Sequence, residues 1–434
     1  MNASVIGLLG FGALFVLMGI GMPVGVAMLL VGFVGIVSLS SLNAAAYTIS
    51  GQAFEIASMY DLSVLPLFIL MGNLASASGL SRDLYAAAYS WFGHRKGGLA
   101  SATVVGCAGF AALSGSSIAS AVTMGRVAYP EMRRFGYGAK LSTGVIAAGG
   151  TLGILIPPST GFVMYAILTE QSIGRLFMAG ILPGLLLTTL FLLVIALIVH
   201  FRPEEGPAGP LSSTRERLAA SRRALGILTI IVLTIGGIYT GIFTPVEAAG
   251  VGAAFAFIML IARKQASRSN LTSVMMETLQ TSGMCFLILI GASAFSPFIA
   301  LSELPRDAAA MFAGLGLGPY GTIILLLVAY AILGMFIEGL SLLVITLPIV
   351  FPVVMALHFD PIWFGVIMVV VLEMGLISPP VGVNCFVVKT VAEDVKLQTV
   401  FAGVMPFWAA MMICLAILVA FPQIALLLPN AMFH

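Results

Sequence analysis

Two adjacent prolines stand inside a long apolar run at Ile154-Leu155-Ile156-Pro157-Pro158-Ser159-Thr160-Gly161. A near copy occurs at Leu376-Ile377-Ser378-Pro379-Pro380-Val381-Gly382-Val383-Asn384. Proline has no N–H to donate, and its ring clashes with the carbonyl four residues back. A helix carrying the pair must break, and the freed carbonyls need partners that hydrocarbon does not supply. Hydrocarbon is the surrounding this chain asks for: 60% of its 434 residues are hydrophobic and 8% are charged, with a mean hydropathy of +1.13. Repeated apolar runs of about 18 residues or more argue for membrane-crossing helices, and the short alternating segments of a barrel are not seen. The expected class is an all-α polytopic membrane protein in a lipid bilayer. The net charge of +2 says little about partners, and no nucleic-acid partner is expected.

The two breaks belong to a repeat. Met22-Pro23-Val24 recurs as Thr244-Pro245-Val246 and Leu80-Ser81-Arg82-Asp83 as Leu304-Pro305-Arg306-Asp307. Gly115-Ser116-Ser117 falls opposite Gly339-Leu340-Ser341, and Gly153 through Pro158 opposite Gly375 through Pro380. The order is kept and the offset stays at 222 to 224 residues, which argues for an internal structural repeat. Residues 1–200 form its first unit and 224–434 its second. The polar, Pro- and Gly-rich stretch 201–223 is the connector.

Spans are expected near 5–20, 23–40, 60–79, 138–170 and 176–200, then 225–241, 245–262, 278–300, 362–390 and 400–428. Met1 to Leu17 lacks the positive start of a cleavable signal and is taken as part of the first span. The Gly- and Ser-rich apolar stretches 98–129 and 318–356 are read as re-entrant helical hairpins, and 138–170 and 362–390 as discontinuous helices. Segments 41–58, 81–96 and 303–316 are expected to lie along the membrane surface. Five spans per half invert the second half relative to the first. With a cytoplasmic connector and both termini outside, all of the 19 Lys and Arg except Arg175 and Arg306 fall on the cytoplasmic side, as the positive-inside rule demands.

The hairpin tips and the breaks carry the candidate chemistry. Carbonyls near Thr151 to Ile154 lose their helical partners, and a small hard cation suits them. The half-helix after Pro158 aims its positive end at the same place and favours an anionic group. Candidate substrate contacts are Ser114, Gly115, Pro158, Ser159, Gly339, Pro380 and Asn384. Candidate Na⁺ ligands are Ser116, Ser117, Thr151, Gly153, Glu338, Ser341, Glu373, Gly375 and Ser378, and at least two ions are expected. A kink or helix-packing reading would explain one proline pair alone, but it leaves the repeated pairing of break with tip unexplained. Glu338 and Glu373 are the deepest carboxylates: each is either an ion or proton ligand, a structural group bonded to freed backbone donors, or a group close enough to the surface to be wet. Glu247 reads as a helix-capping charge.

Cys107, Cys285, Cys385 and Cys414 lack metal-ligand spacing and read as small packed hydrophobes. His94, His200, His358 and His434 fall near segment ends and form no cluster. No metalloprotease motif, phosphate loop or nucleophile–base pair stands out, so no enzyme is expected.

Taken with these motifs, the chain resembles the large membrane subunit, of DctM/SiaM type, of the tripartite ATP-independent periplasmic (TRAP) transporters. The resemblance rests on Gly150 through Ser159, Gly375 through Asn384, Leu113-Ser114-Gly115-Ser116 and Gly334-Met335-Phe336-Ile337-Glu338. It implies Na⁺-driven import of a carboxylate-bearing solute, such as sialic acid or a C4-dicarboxylate, across a bacterial inner membrane. It also implies a periplasmic substrate-binding protein, a small four-helix membrane subunit expected as a separate chain, and an elevator-type fold. In that fold a transport domain of about 60–170 plus 278–390 slides on a scaffold of the remaining helices. A self-sufficient Na⁺- or H⁺-coupled transporter, a membrane-embedded enzyme and an assembly scaffold are the alternatives.

Overall fold

The computed structural model describes residues 2–432, and the readings made for Met1 and His434 lie outside the described residues. Among those residues every regular element is helical and none is a strand. Helix starts follow side-chain chemistry. Ser41, Ser116, Ser159, Ser172, Ser213, Thr244 and Ser267 each accept the backbone N–H three residues on, which satisfies a donor that helix geometry leaves orphaned. Glu247 bonds back to the Thr244 N–H at 2.8 Å and completes a capping box, the role expected of it.

The first hairpin is Gly98–Ser114 and Ser117–Arg134. Ala139–Leu155 and Thr160–Thr169 form the first broken helix. In the second half, Gly318–Leu333 and Gly339–Ala356 form a hairpin, and Pro361–Gly375 and Val383–Val391 a broken helix. Leu397–Ala420 follows as a closing helix.

Eight helical stretches among the described residues are long and apolar enough to cross a membrane, against ten spans drawn from the sequence. Ala3–Gly19, Val24–Leu39 and Pro361–Gly375 are apolar but shorter. At 1.5 Å per residue they run about 22–26 Å against a hydrocarbon core of about 30 Å. Gly339–Ala356, drawn as a hairpin arm, does reach spanning length.

Close contacts gather many of the helices into two groups, and Val64–Ala77 also touches the first tip, where a Cβ on Gly72 would sit 2.7 Å from the Leu113 carbonyl oxygen. In one, Val24–Leu39 lies on Arg268–Leu301 so tightly that a Cβ on Gly32 would sit 2.5 Å from the Ala294 carbonyl oxygen. Asn73, on the helix Val64–Ala77, donates to Thr278 of the same long helix at 3.0 Å. In the other, Gly144 of the first broken helix meets Gly403 of the closing helix backbone to backbone. There the Trp363 indole donates to the Leu418 carbonyl at 2.8 Å, and the rings of Phe191 and Phe407 meet edge to face at 5.5 Å. Phe191 belongs to Ile173–Phe201, so that helix joins the second group.

The connector differs from the solvated stretch read in 201–223. The Ser213–Glu216 capping box starts a helix inside it, and Thr214–Ile231 then runs on toward the membrane. Upstream, Gly97 N–H donates to Gly206 (2.8 Å), Gly138 N–H to Glu205 (3.0 Å), and Gly209 N–H to Gly93 (2.9 Å). The connector is therefore bonded to the entrances of the first hairpin and the first broken helix.

Candidate functional site

The first tip turns at Gly115, whose φ of 58° is left-handed and costs a glycine little. Ser114 Oγ lies 2.7 Å from Ser120 Oγ, and Ser116 caps the second arm by accepting from Ala119 N–H at 3.4 Å. The tip is pinned to the break: Thr160 donates to the Gly115 carbonyl through its hydroxyl at 2.8 Å and its N–H at 3.4 Å.

Small residues on the broken helix allow this approach. A Cβ on Gly153 would sit 2.5 Å from the Ser116 carbonyl oxygen and 2.7 Å from Ser120 Oγ. One on Gly150 would sit 3.0 Å from the Ser117 carbonyl oxygen. The freed carbonyls are fewer than the sequence suggested. Ile156 N–H still reaches Leu152 at 3.0 Å, so the helix persists past Thr151 and Leu152. The carbonyls without helical donors are those of Gly153 and Ile154, whose partners would have been Pro157 and Pro158. Serine hydroxyls and the Ser116 carbonyl meet the Gly153 face here, and oxygen donors of this kind suit a small hard cation.

The second pair is built differently. Glu338 caps Gly339–Ala356, accepting from Leu340 N–H (3.1 Å), Ser341 N–H (2.9 Å) and the Ser341 hydroxyl (2.9 Å). Its oxygens are thus engaged by freed backbone donors. Gly375 approaches the tip so closely that a Cβ there would sit 2.5 Å from the Gly334 carbonyl oxygen. The second break satisfies its own carbonyls: Gly375 accepts from Ser378 N–H at 3.0 Å, and Leu376 from Asn384 N–H at 2.9 Å. Pro379, Pro380 and Val381 are exposed, whereas Pro157, Pro158 and Ser159 are buried. One break is covered by its tip and the other is open.

Two buried groups are left wanting. Glu373 is 2% exposed; the Ser117 hydroxyl of the first tip faces its carboxyl, and Oε2 has no hydrogen-bond partner. Asn384 is fully buried, and both its amide oxygen and its amide nitrogen lack partners. Glu373 and Ser117, which lie in opposite halves of the chain, thus share one place.

Two expected ligands face elsewhere. Thr151 donates its hydroxyl to Ala148 at 2.6 Å and sits 3.9 Å from the Met411 sulfur of the closing helix, away from the tip. Ser378 donates to Met374 at 2.6 Å and accepts from the Trp408 indole at 2.8 Å. Ser159 accepts from Phe162 N–H at 3.2 Å, as a helix cap, and Gly339 packs on Leu372. Ser120 and Thr160 at the first tip are not among the candidate ligands the sequence offers, although Ser120 closes the hydroxyl-rich tip stretch 112–120. Ser120 follows Ser116 by one helical turn, so spacing alone could have found it. Trp408 and Met411, one turn apart on a distant helix, had no such signal. Among the described residues no group of three or more His, Cys, Asp or Glu is placed to hold a metal ion.

A family model described as the DctM component of the tripartite ATP-independent periplasmic transporter matches residues 11–424. The C4-dicarboxylate TRAP transporter large permease protein DctM of Pseudomonas aeruginosa is 39% identical over 380 residues, covering 87% of this chain and 88% of that one. The sialic acid TRAP transporter large permease protein SiaM of Vibrio cholerae is 32% identical over 433 residues, covering 99% and 98%. Among solved structures, the YdaH transporter of Alcanivorax borkumensis aligns with a TM-score of 0.59 over 88% of this chain and 89% of that one. At 17% identity that likeness is one of fold alone.

Proposed function

The chain belongs to the DctM component family of the tripartite ATP-independent periplasmic transporters, and from that premise we propose that it is the large permease subunit of a Na⁺-coupled importer of a carboxylate-bearing organic acid. The solute is a C4-dicarboxylate, sialic acid or a similar acid, handed over by a soluble periplasmic binding protein to this subunit, which sits in the bacterial inner membrane. A small four-helix subunit, on a separate chain, completes the membrane part. The observation that carries this reading is the oxygen-lined junction of the first tip with the first break, beside the half-satisfied Glu373.

Ser114, Ser116, Ser120 and the carbonyls of Gly153 and Ile154 are the ligands for one Na⁺. A second ion would draw on Glu373 Oε2 and the Ser117 hydroxyl. Asn384, with an unpaired donor and an unpaired acceptor, suits a solute that carries both hydroxyl and carboxylate groups. Binding an ion beside the solute carboxylate offsets charge in a site that water does not screen, so each ligand strengthens the other's hold.

The inverted 5 + 5 repeat and an elevator movement complete the proposal, with the orientation that places both termini in the periplasm and the connector in the cytoplasm. The sliding body takes in both hairpins, both broken helices, Ile173–Phe201 and Leu397–Ala420. Tyr60–Ala77 and Arg268–Leu301 stay with the scaffold, which redraws the domain limits of 60–170 and 278–390. Two clefts between these bodies support the partition. One, of about 570 Å³, separates Pro348 and Phe351 from Ser296 and Glu303. The other, of about 630 Å³, separates Glu170 and Gln171 from Tyr60 and Phe243.

The test is uptake of labelled C4-dicarboxylates and sialic acid into proteoliposomes holding both membrane subunits. Uptake that requires the binding protein and an inward Na⁺ gradient is the expected result. Uptake by this chain alone would overturn the tripartite reading. Uptake indifferent to Na⁺ but driven by a proton gradient would reassign the Glu373 oxygen to proton transfer.

A further inference from the structure

Arg126 stands alone on the second arm of the first hairpin. The arm runs from Ser117 to Arg134, so at 1.5 Å per residue Arg126 lies about 13 Å beyond the tip and about 12 Å short of the other end. It is exposed, and among the described residues it has no ion pair or hydrogen bond. The acids nearest the end of the arm are already engaged: Glu131 with Arg134 at 3.9 Å, and Asp394 with Arg133 at 3.4 Å.

Its surroundings on the arm form a stripe. Ile118, Val122, Arg126 and Pro130 recur every four residues, and each is exposed or half-exposed, while Ala121, Met124, Gly125 and Ala128 on the other faces are buried. Ile118, Val122 and Pro130 offer the guanidinium no side-chain acceptor. Pro130 sits inside the helix and has no N–H, so the Arg126 carbonyl four residues back loses its helical donor. One turn of the stripe therefore presents an unpaired guanidinium together with a freed carbonyl. Neither is tolerated against hydrocarbon, and both are satisfied by water.

We propose that this stripe is the wall of a hydrated path between the first tip and the basic end of the hairpin, and that Arg126 is a specificity-determining cation for an anion moving along it. The proposal deepens the transport reading above and rests on it for the identity of the anion. A carboxylate released at the tip, within reach of Ser114 and Ser116, next meets a fixed positive charge with five donors in a planar fork. Beside the apolar side chains of the stripe that charge raises the local concentration of anions and holds back cations. A neutral solute gains nothing from it.

The experiment uses Val122→Cys, one turn from Arg126 on the same stripe. The native cysteines are all buried, so background labelling is low. The chain, assembled with its small subunit in vesicles, is treated with membrane-impermeant anionic and cationic thiosulfonate reagents. The anionic reagent is expected to react faster, by on the order of tenfold relative to the cationic one. In Val122→Cys with Arg126→Gln the ratio should fall to near one. Failure of both reagents to label overturns the hydrated path. A ratio unchanged by Arg126→Gln overturns the role of its charge.

Uptake supplies a second readout. Arg126→Gln should lower the maximal rate about tenfold with the Na⁺ half-saturation unchanged, and Arg126→Lys should retain most of the rate. Wild-type uptake by Arg126→Gln overturns the assignment. Labelling as expected in a chain that moves no carboxylate with its partners would overturn the transport reading and leave the cationic path standing.

Discussion

Glu373, on the first arm of the second broken helix, lies against the Ser117 hydroxyl at the tip of the first hairpin, and one of its carboxylate oxygens has no protein partner. A tip from one half of the chain and a break from the other thus share a buried carboxylate. Glu373→Gln keeps the shape and removes the charge. Losing one charged ligand contact should raise the Na⁺ half-saturation of uptake about tenfold or more. Solute capture by the soluble binding protein, measured separately, should not change. A Na⁺ titration identical to wild type would remove Glu373 from the ion site.

Gly153→Ala tests the fit between tip and break. Its methyl would sit 2.5 Å from the Ser116 carbonyl oxygen and 2.7 Å from Ser120 Oγ, both on a buried surface. The tip must retreat to make room, and overpacking of this kind costs about 1–3 kcal/mol. A lowered melting temperature in detergent, together with weakened Na⁺ dependence, is the expected pair of results.

Ser114→Ala and Thr151→Ala should separate. Ser114 Oγ faces Ser120 at the tip, whereas the Thr151 hydroxyl is spent on Ala148 and points toward Met411. Loss of one neutral oxygen is worth about 1 kcal/mol, so Ser114→Ala should raise the Na⁺ half-saturation about fivefold. Thr151→Ala should leave it in place. Equal shifts in both variants would show that Thr151 turns toward the ion when sodium binds.

Asp394 links the first hairpin to the end of the second broken helix, accepting from the Tyr129 hydroxyl and pairing with Arg133 at 3.4 Å. The Tyr129 hydrogen bond, then a hydrogen bond from its own backbone N–H and the nearby Arg133 and Lys389, hold the Asp394 carboxyl below its ordinary value. Its contribution to stability is therefore full above the unfolded carboxylate value of about 4 and fades as pH falls through the lower folded value. Tyr129→Phe removes the main cause of the shift. The gap in melting temperature between wild type and Tyr129→Phe should be widest near neutrality and should narrow on acidification. A gap that does not change with pH would assign the tyrosine a packing role only.

Much of the fold was legible because it is written in backbone chemistry. The proline pairs mark both breaks, Gly115 marks the first turn, and hydroxyl caps mark helix starts within a residue or two. Side-chain direction was less legible, and the first broken helix shows why. Residues 141–155 are all buried, so no polar stripe distinguishes the face that meets the tip from the face that meets the closing helix. Thr151 offers a side-chain oxygen, but Gly150 and Gly153, three apart, mark the tip face, and Thr151 lies off it. A residue advances about 100° around a helix, which separates neighbours in sequence onto different walls. The pairing of Ser117 with Glu373 was hidden for another reason: aligning the repeats matches each tip with its own break. The contact runs between the repeats.

The three backbone hydrogen bonds from residues 205–209 to Gly93, Gly97 and Gly138 bear on how the chain is made. The last partners of the first hairpin's entrance are about a hundred residues further along the chain. Synthesis must proceed past Gly209 before that entrance can lock. A cut or a long insertion at 205–209 would therefore act on assembly, while one at the exposed Leu211 would leave it alone.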